Sequence, residues 1–140
     1  MIYLRSSVVL LVMTVAGCAT VHSSMMKSAD NLRSSASAFA GDAGRDFPRA
    51  VEFASETHYF LAAVDHAGDR EVISAYERLW DEYHALREDV ERSNSQEAKV
   101  DFKHVTQAFT SVARDARGYS DADGSIYARG GFQHDPYYDP

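Results

Sequence analysis

Between residues 72 and 90 the large apolar side chains stand at Val72, Tyr76, Leu79, Tyr83, Leu86 and Val90, in steps that alternate four and three. A helix of 3.6 residues per turn gathers that series onto one face, whereas a strand would scatter it over both faces of a sheet. Ile73 and Trp80 widen the stripe. A chain carrying such a face has to bury it against partners of the same kind. The alternation recurs at Met25, Ala29, Leu32, Ala36, Phe39 and Ala43, and again at Ala98, Phe102, Val105, Phe109, Val112 and Ala116. No long strand-like alternation interrupts it, so the expected fold class is all-α.

Local punctuation divides the pattern into four helices. Gly41-Asp42-Ala43-Gly44 is expected to break the first, and Asp46-Phe47-Pro48 to open the second, with Asp46 as cap and Pro48 in the first turn. Ala67-Gly68 supplies the next stop and Asp69 the next cap; Ser93 and Gln96 have the spacing of a capping box before the fourth helix, which is expected to end at Gly118. Connections this short make consecutive helices antiparallel neighbours, predicting an up-down-up-down four-helix bundle. In the second helix two seams compete. One runs Phe47, Val51, Ala54, His58, Leu61, Asp65 and buries a His and an acid; the other runs Ala50, Phe53, Thr57, Phe60, Val64, Ala67. At 100° per residue the apolar centre falls near Thr57, Leu61 and Val64, which puts His58 and Asp65 at the stripe's edge. After Gly118 the period is lost among Gly124, Gly130, Gly131, Pro136 and Pro140, so residues 119–140 read as a disordered, flexible tail carrying Tyr119, Tyr127, Phe132, Tyr137 and Tyr138.

The start of the chain has a different build. Arg5 precedes a run from Ser6 to Val15 that is mostly Val, Leu and Met, and Gly17 and Cys18 follow. The apolar run is shorter than the ~20 residues a membrane-spanning helix needs, which favours a secretory signal over an anchor. Val15-Ala16-Gly17-Cys18 resembles the lipobox of bacterial lipoproteins. The resemblance implies that residues 1–17 are a cleaved signal peptide. It further implies that Cys18 receives a diacylglyceryl thioether and an N-acyl chain such as palmitate, and that residues 18–118 form a lipid-anchored bundle. Each buried methylene contributes roughly 0.8 kcal/mol, so two or three acyl chains hold a protein durably. Ala19 and Thr20, with no Asp beside the Cys, resemble cargo sorted to the outer membrane on its periplasmic face; retention at the inner membrane is the less favoured outcome. Ala19 to Ser24 reads as a short tether between the lipid and the first helix.

Composition narrows the function. Without residues 1–17 the remaining 123 residues suffice for one domain and carry thirteen basic and twenty-one acidic side chains, a net charge of −8. That balance excludes nucleic acid as the expected partner, because phosphate backbones require a basic face. With a single Cys in the sequence no disulfide can form within it.

Chemistry-bearing patterns are sparse. There is no Cys-x-x-Cys-His for covalent haem, and Met25 or Met26 and His104 fall toward opposite ends of the bundle, where they cannot share a haem. Asp81-x-x-His84 and Asp101-x-x-His104 have di-metal spacing, yet with Tyr83 and Phe102 on the seam Asp81 and His84 point outward. Asp121-x-Asp123-Gly124 lacks the later ligands of a calcium loop. No phosphate loop, nucleophile elbow or zinc-protease motif is present. What is left is a polar cluster of His58, Asp65 and His66 near the end of the second helix. The expected function is a non-enzymatic binding or scaffolding module of the cell envelope, without a cofactor other than its lipid, whose partner is an envelope protein or peptidoglycan. The competing expectation is a metal- or haem-binding bundle that uses His58 and His66.

Overall fold

The computed structural model describes residues 7–67 and 69–123, with side-chain surroundings defined for 22–67 and 70–117. These form α1 (Ser7–Ala43), α2 (Pro48–His66), α3 (Asp69–Arg92) and α4 (Gln96–Asp123), with no strand among the described residues. The helices follow one another antiparallel around a closed ring in which α4 returns to pack on α1. Ring contacts fix the directions. Phe39 near the end of α1 meets Phe102 near the start of α4, while Ser24 and Ser28 near the other end of the bundle meet Asp115. The expected antiparallel four-helix bundle is therefore present.

The stripes read from the sequence are the core. Met25, Ala29, Leu32, Ala36 and Phe39 of α1, Val72 to Val90 of α3 and Ala98 to Ala116 of α4 are buried at their four-three positions. In α2 the second seam is the buried one: Ala50, Phe53, Thr57, Phe60 and Val64 face inward. Val51, on the competing seam, is 53% exposed. The reason is the cost of the alternative, which would have desolvated His58 and Asp65. Thr57 can be buried because its hydroxyl donates to the Ala54 carbonyl at 2.6 Å.

Side-chain size sets the spacing of the ring. The buried face of α1 interleaves the small Ser28, Ala29 and Ala36 with Met25, Leu32 and Phe39, and at the small positions α2 and α4 approach its backbone closely. Between α3 and α4 the backbones stay further apart, held off by Tyr76, Tyr83, Phe102 and Phe109. On its other flank α3 is tied to α2 by ion pairs, Arg49 with Glu82 and Asp89 at 3.3 Å each and Arg78 with Glu56 at 3.3 Å.

The helix ends differ from the sequence expectations in five places. Gly41 lies inside α1, and the chain turns only at Gly44, whose N–H donates to the Ala40 carbonyl at 3.0 Å. Asp46 does not cap α2: Phe47 occupies the cap position without a side-chain bond, Pro48 begins the helix, and the Phe47 ring packs on Phe39 at 6.2 Å. Pro48 at the first helical position has its φ preset for the helix and no N–H there to leave unpaired, and the Phe47 ring on Phe39 fixes the turn where no side-chain cap does. At α4 the cap is Ser95, which accepts from the Ala98 N–H at 3.1 Å, whereas Ser93 donates back to the Val90 carbonyl at 2.8 Å. Gly118 does not end α4, which continues to Asp123; a glycine costs a helix only about 1 kcal/mol. Residues 19–24, read as a tether, are instead helical and continuous with the bundle, because no Gly or Pro between Cys18 and Ala40 interrupts the helix. The tail reading for residues 124–140 lies outside the described residues.

Candidate functional site

The sequence cluster of His58, Asp65 and His66 comes together on the outer side of α2 because the three positions are spaced seven and one apart, two helical turns and a neighbour. α1 completes the site. An open cleft of about 540 Å³ between α1 and α2 is lined by Met26, Lys27 and Asp30 on one wall and by His58, Leu61, Ala62, Asp65 and His66 on the other. His66 Nε2 stands 2.8 Å from Asp65 Oδ2, with the His side chain 79% exposed. His58 is exposed as well. Half-buried Met26 and Leu61 give the cleft an apolar floor, and charged groups of both signs form its rim.

No group of three His, Cys, Asp or Glu side chains among the described residues could hold a metal ion. Met26 and His58 do share the cleft, on different helices. His104 lies elsewhere, with Asp101, Ser34, Ser35, Ala38, Phe39 and Asp42 in a second open cleft of about 400 Å³ between α1 and α4. The other carboxylate-x-x-His pair is divided: Asp81 is exposed, and the His84 ring lies 3.7 Å from that of Trp80. The two pairs are not brought together.

Cys18 and the preceding Val15, Ala16 and Gly17 fall within α1, but their side chains lie outside the described surroundings. In the helical register Cys18 is seven residues before Met25, and Met25, Leu32 and Phe39 follow at the same interval on the buried face. At 1.5 Å per residue, eight residues of helix put Cys18 about 12 Å along the axis from Met26 of the cleft. Among the described residues no helix is long and apolar enough to cross a membrane.

One polar site near this end of the bundle was not legible in the sequence. Asp115 of α4, with a side chain only 12% exposed, accepts from Ser24 Oγ at 3.0 Å and also from Ser28 Oγ. Ser24 and Ser28 are spaced by four, which was the available signal. Their partner is eighty-seven residues away from the nearer one, and only packing reveals it.

No family model matches the chain, and no match was found among curated proteins or solved structures. The fold defines an all-α four-helix bundle with an open, polar-rimmed cleft.

Proposed function

We propose that this protein is a lipid-anchored module of the bacterial envelope, attached through Cys18 to the periplasmic face of the outer membrane. In this reading it acts by binding or scaffolding rather than by catalysis. The observation that carries the reading is Val15-Ala16-Gly17-Cys18, standing directly behind a short charged and then apolar leader and containing the only cysteine in the sequence. The continuous helix from Cys18 into the bundle supports a geometry in which the bundle is held on a short helical stalk. The α1–α2 cleft then faces its surroundings close to the membrane and is the surface on which an envelope protein or peptidoglycan would be met.

The test is processing in a bacterial host. Wild-type chain should incorporate labelled palmitate, lose its leader and fractionate with outer membranes. Cys18→Ala should abolish labelling, and globomycin should make the lipid-modified precursor accumulate. Unchanged processing and membrane association in both experiments would overturn the anchored reading.

A further inference from the structure

Lys99, Lys103, Gln107, Thr110, Arg114 and Arg117 follow one another along α4 in steps of four, four, three, four and three, so they share one side of the helix. Lys99 is half-buried and the other five are exposed. Between Val100 and Arg117 no exposed position of α4 is acidic. The two acids of that stretch turn toward α1: Asp101 lines the α1–α4 cleft, and Asp115 accepts from Ser24 and Ser28. Arg114 Nε lies 3.7 Å from Asp115 Oδ1, yet its side chain is 65% exposed. Val100, 55% exposed, adds an apolar side chain at the stripe's edge. In a chain with twenty-one acids against fourteen bases this is a segregation of charge. The neighbouring α3, by contrast, mixes signs in solvent, with Glu71, Arg78, Asp81, Glu88 and Arg92.

We infer that this side of α4 lies against an anionic lipid surface, so that the bundle rests on its α4 flank. Lys99, Lys103, Arg114 and Arg117 then stand at the level of the lipid phosphates, with Val100 between them and the acyl region. At 100° per residue the four cations fall within about 60° of one another around the axis, and they span about 27 Å along it. A flat surface can therefore meet all four at once.

The choice of lipid over an acidic peptide rests on the anchored reading above and on where the stripe lies. α4 packs against α1, the helix that contains Cys18. The Asp115 bonds put the Arg114–Arg117 end of the stripe level with Ser24 and Ser28, and Ser24 is only about 9 Å of helix from Cys18. The stripe thus begins beside the proposed anchor and runs away from it along the bundle. An acyl anchor supplemented by a basic patch holds more firmly than either alone. α2 lies across the ring from α4, so this orientation turns the α2 wall of the α1–α2 cleft away from the membrane.

The test is vesicle co-sedimentation of the full-length chain carrying Cys18→Ala, with vesicles of phosphatidylcholine alone and of an equal mixture with phosphatidylglycerol. A chain that cannot be lipidated separates the two readings: failed palmitate labelling overturns the anchor, whereas failure here overturns the docking face. Lys103→Gln with Arg114→Gln should weaken binding to the mixed vesicles about fivefold for each base removed and leave binding to the neutral ones as it was. Gln107→Lys, which adds a cation to the same side, should tighten it about fivefold, a gain that misfolding cannot mimic. Arg45→Gln with Arg92→Gln makes the same change in net charge away from the stripe and should alter binding by less than about twofold. Equal weakening by the two double variants overturns the inference, and so does a Gln107→Lys chain that binds no better than its parent. Loss of polyglutamate binding in Lys103→Gln with Arg114→Gln, with vesicle binding unchanged, would assign the stripe to an acidic peptide and overturn it too.

Discussion

The rings of Tyr83 and Phe109 stack face to face across α3 and α4, centroids 3.9 Å apart and planes within 4° of parallel. This contact spaces the two helices and, through the Tyr83 hydroxyl at 3.2 Å from Thr106 Oγ1, sets their register. Phe109→Ala should therefore destabilise the bundle by about 3–5 kcal/mol, the usual cost of deleting a buried aromatic. Tyr83→Phe keeps the ring and gives up the hydroxyl contact, which corresponds to about 1 kcal/mol. Urea unfolding followed at 222 nm, the helix band, separates the two; equal losses would show that the stack is not what holds α3 and α4 in register.

Asp115 anchors α4 to α1 through two serine hydroxyls. Asp115→Ala removes the acceptor for both, and a loss of about 1–3 kcal/mol is expected for a largely buried hydrogen-bonded carboxylate. Ser24→Ala, whose contact with Asp115 is exposed, should cost less than about 0.5 kcal/mol. Hydrogen exchange in residues 22–30 should accelerate in Asp115→Ala; unaltered exchange there would refute the anchoring role.

Two neighbouring glycines should respond with opposite signs. A Cβ added at Gly41 meets nothing within 4 Å, so Gly41→Ala inside α1 should stabilise the protein, by about 0.5–1 kcal/mol. A Cβ added at Gly44 falls 2.3 Å from the Ala40 carbonyl oxygen and 3.2 Å from Val51 Cγ2. Gly44→Ala should then cost about 1–3 kcal/mol, as the turn into α2 has to shift. Thermal melts of the pair decide it, and equal shifts would contradict the turn geometry.

Arg49 links α2 to α3. Desolvation acts to lower its pKa, but Glu82 and Asp89 outweigh it and raise the pKa above the ordinary arginine range. A raised folded-state pKa adds stability that is present below the unfolded value and is lost only as pH rises through the folded one. The fall in melting temperature caused by Arg49→Met should therefore be the same at neutral and mildly alkaline pH. A difference that shrinks on mild alkalinisation would speak against a permanently charged guanidinium.

His58 and His66 share a cleft without a third converging ligand of the kind a metal needs. Adding zinc, copper or haem to the full chain should leave the melting temperature within error, and His58→Ala should change nothing in that titration. A stabilising shift abolished by His58→Ala would instead favour the ligand-binding alternative.

Much of the fold was legible because it rests on a period. The four-three stripes of α1, α3 and α4 are the buried faces, and in α2 the seam that spares His58 and Asp65 is the one that packs. The helix ends were less legible. Asp46 and Ser93 have good capping chemistry, but Phe47 packing on Phe39 and the nearer Ser95 took those places. Gly41 and Gly118 look like stops, yet a glycine in a helix costs too little to end one whose other residues keep packing.

The candidate site divides the same way. His58, Asp65 and His66 share a face because of helical spacing, which the sequence contains. Met26, Lys27 and Asp30, the opposite wall, could not be assigned to them without knowing how α1 and α2 are rotated against each other.

From the sequence by itself follow the helical class, the faces each helix buries and the antiparallel order set by short connections, and it contains the lipobox-like run Val15-Ala16-Gly17-Cys18. Tertiary structure alone decided which flank of each helix meets which neighbour, and with it the Asp115 anchor, the α1–α2 cleft and the stacked aromatic layer between α3 and α4. The physical reason is that periodicity is a local property of the backbone, repeated every few residues. The spacing and rotation of two helices depend instead on the volumes of side chains far apart in sequence: Ser28, Ala29 and Ala36 let neighbours approach α1, and stacked rings hold α3 and α4 apart.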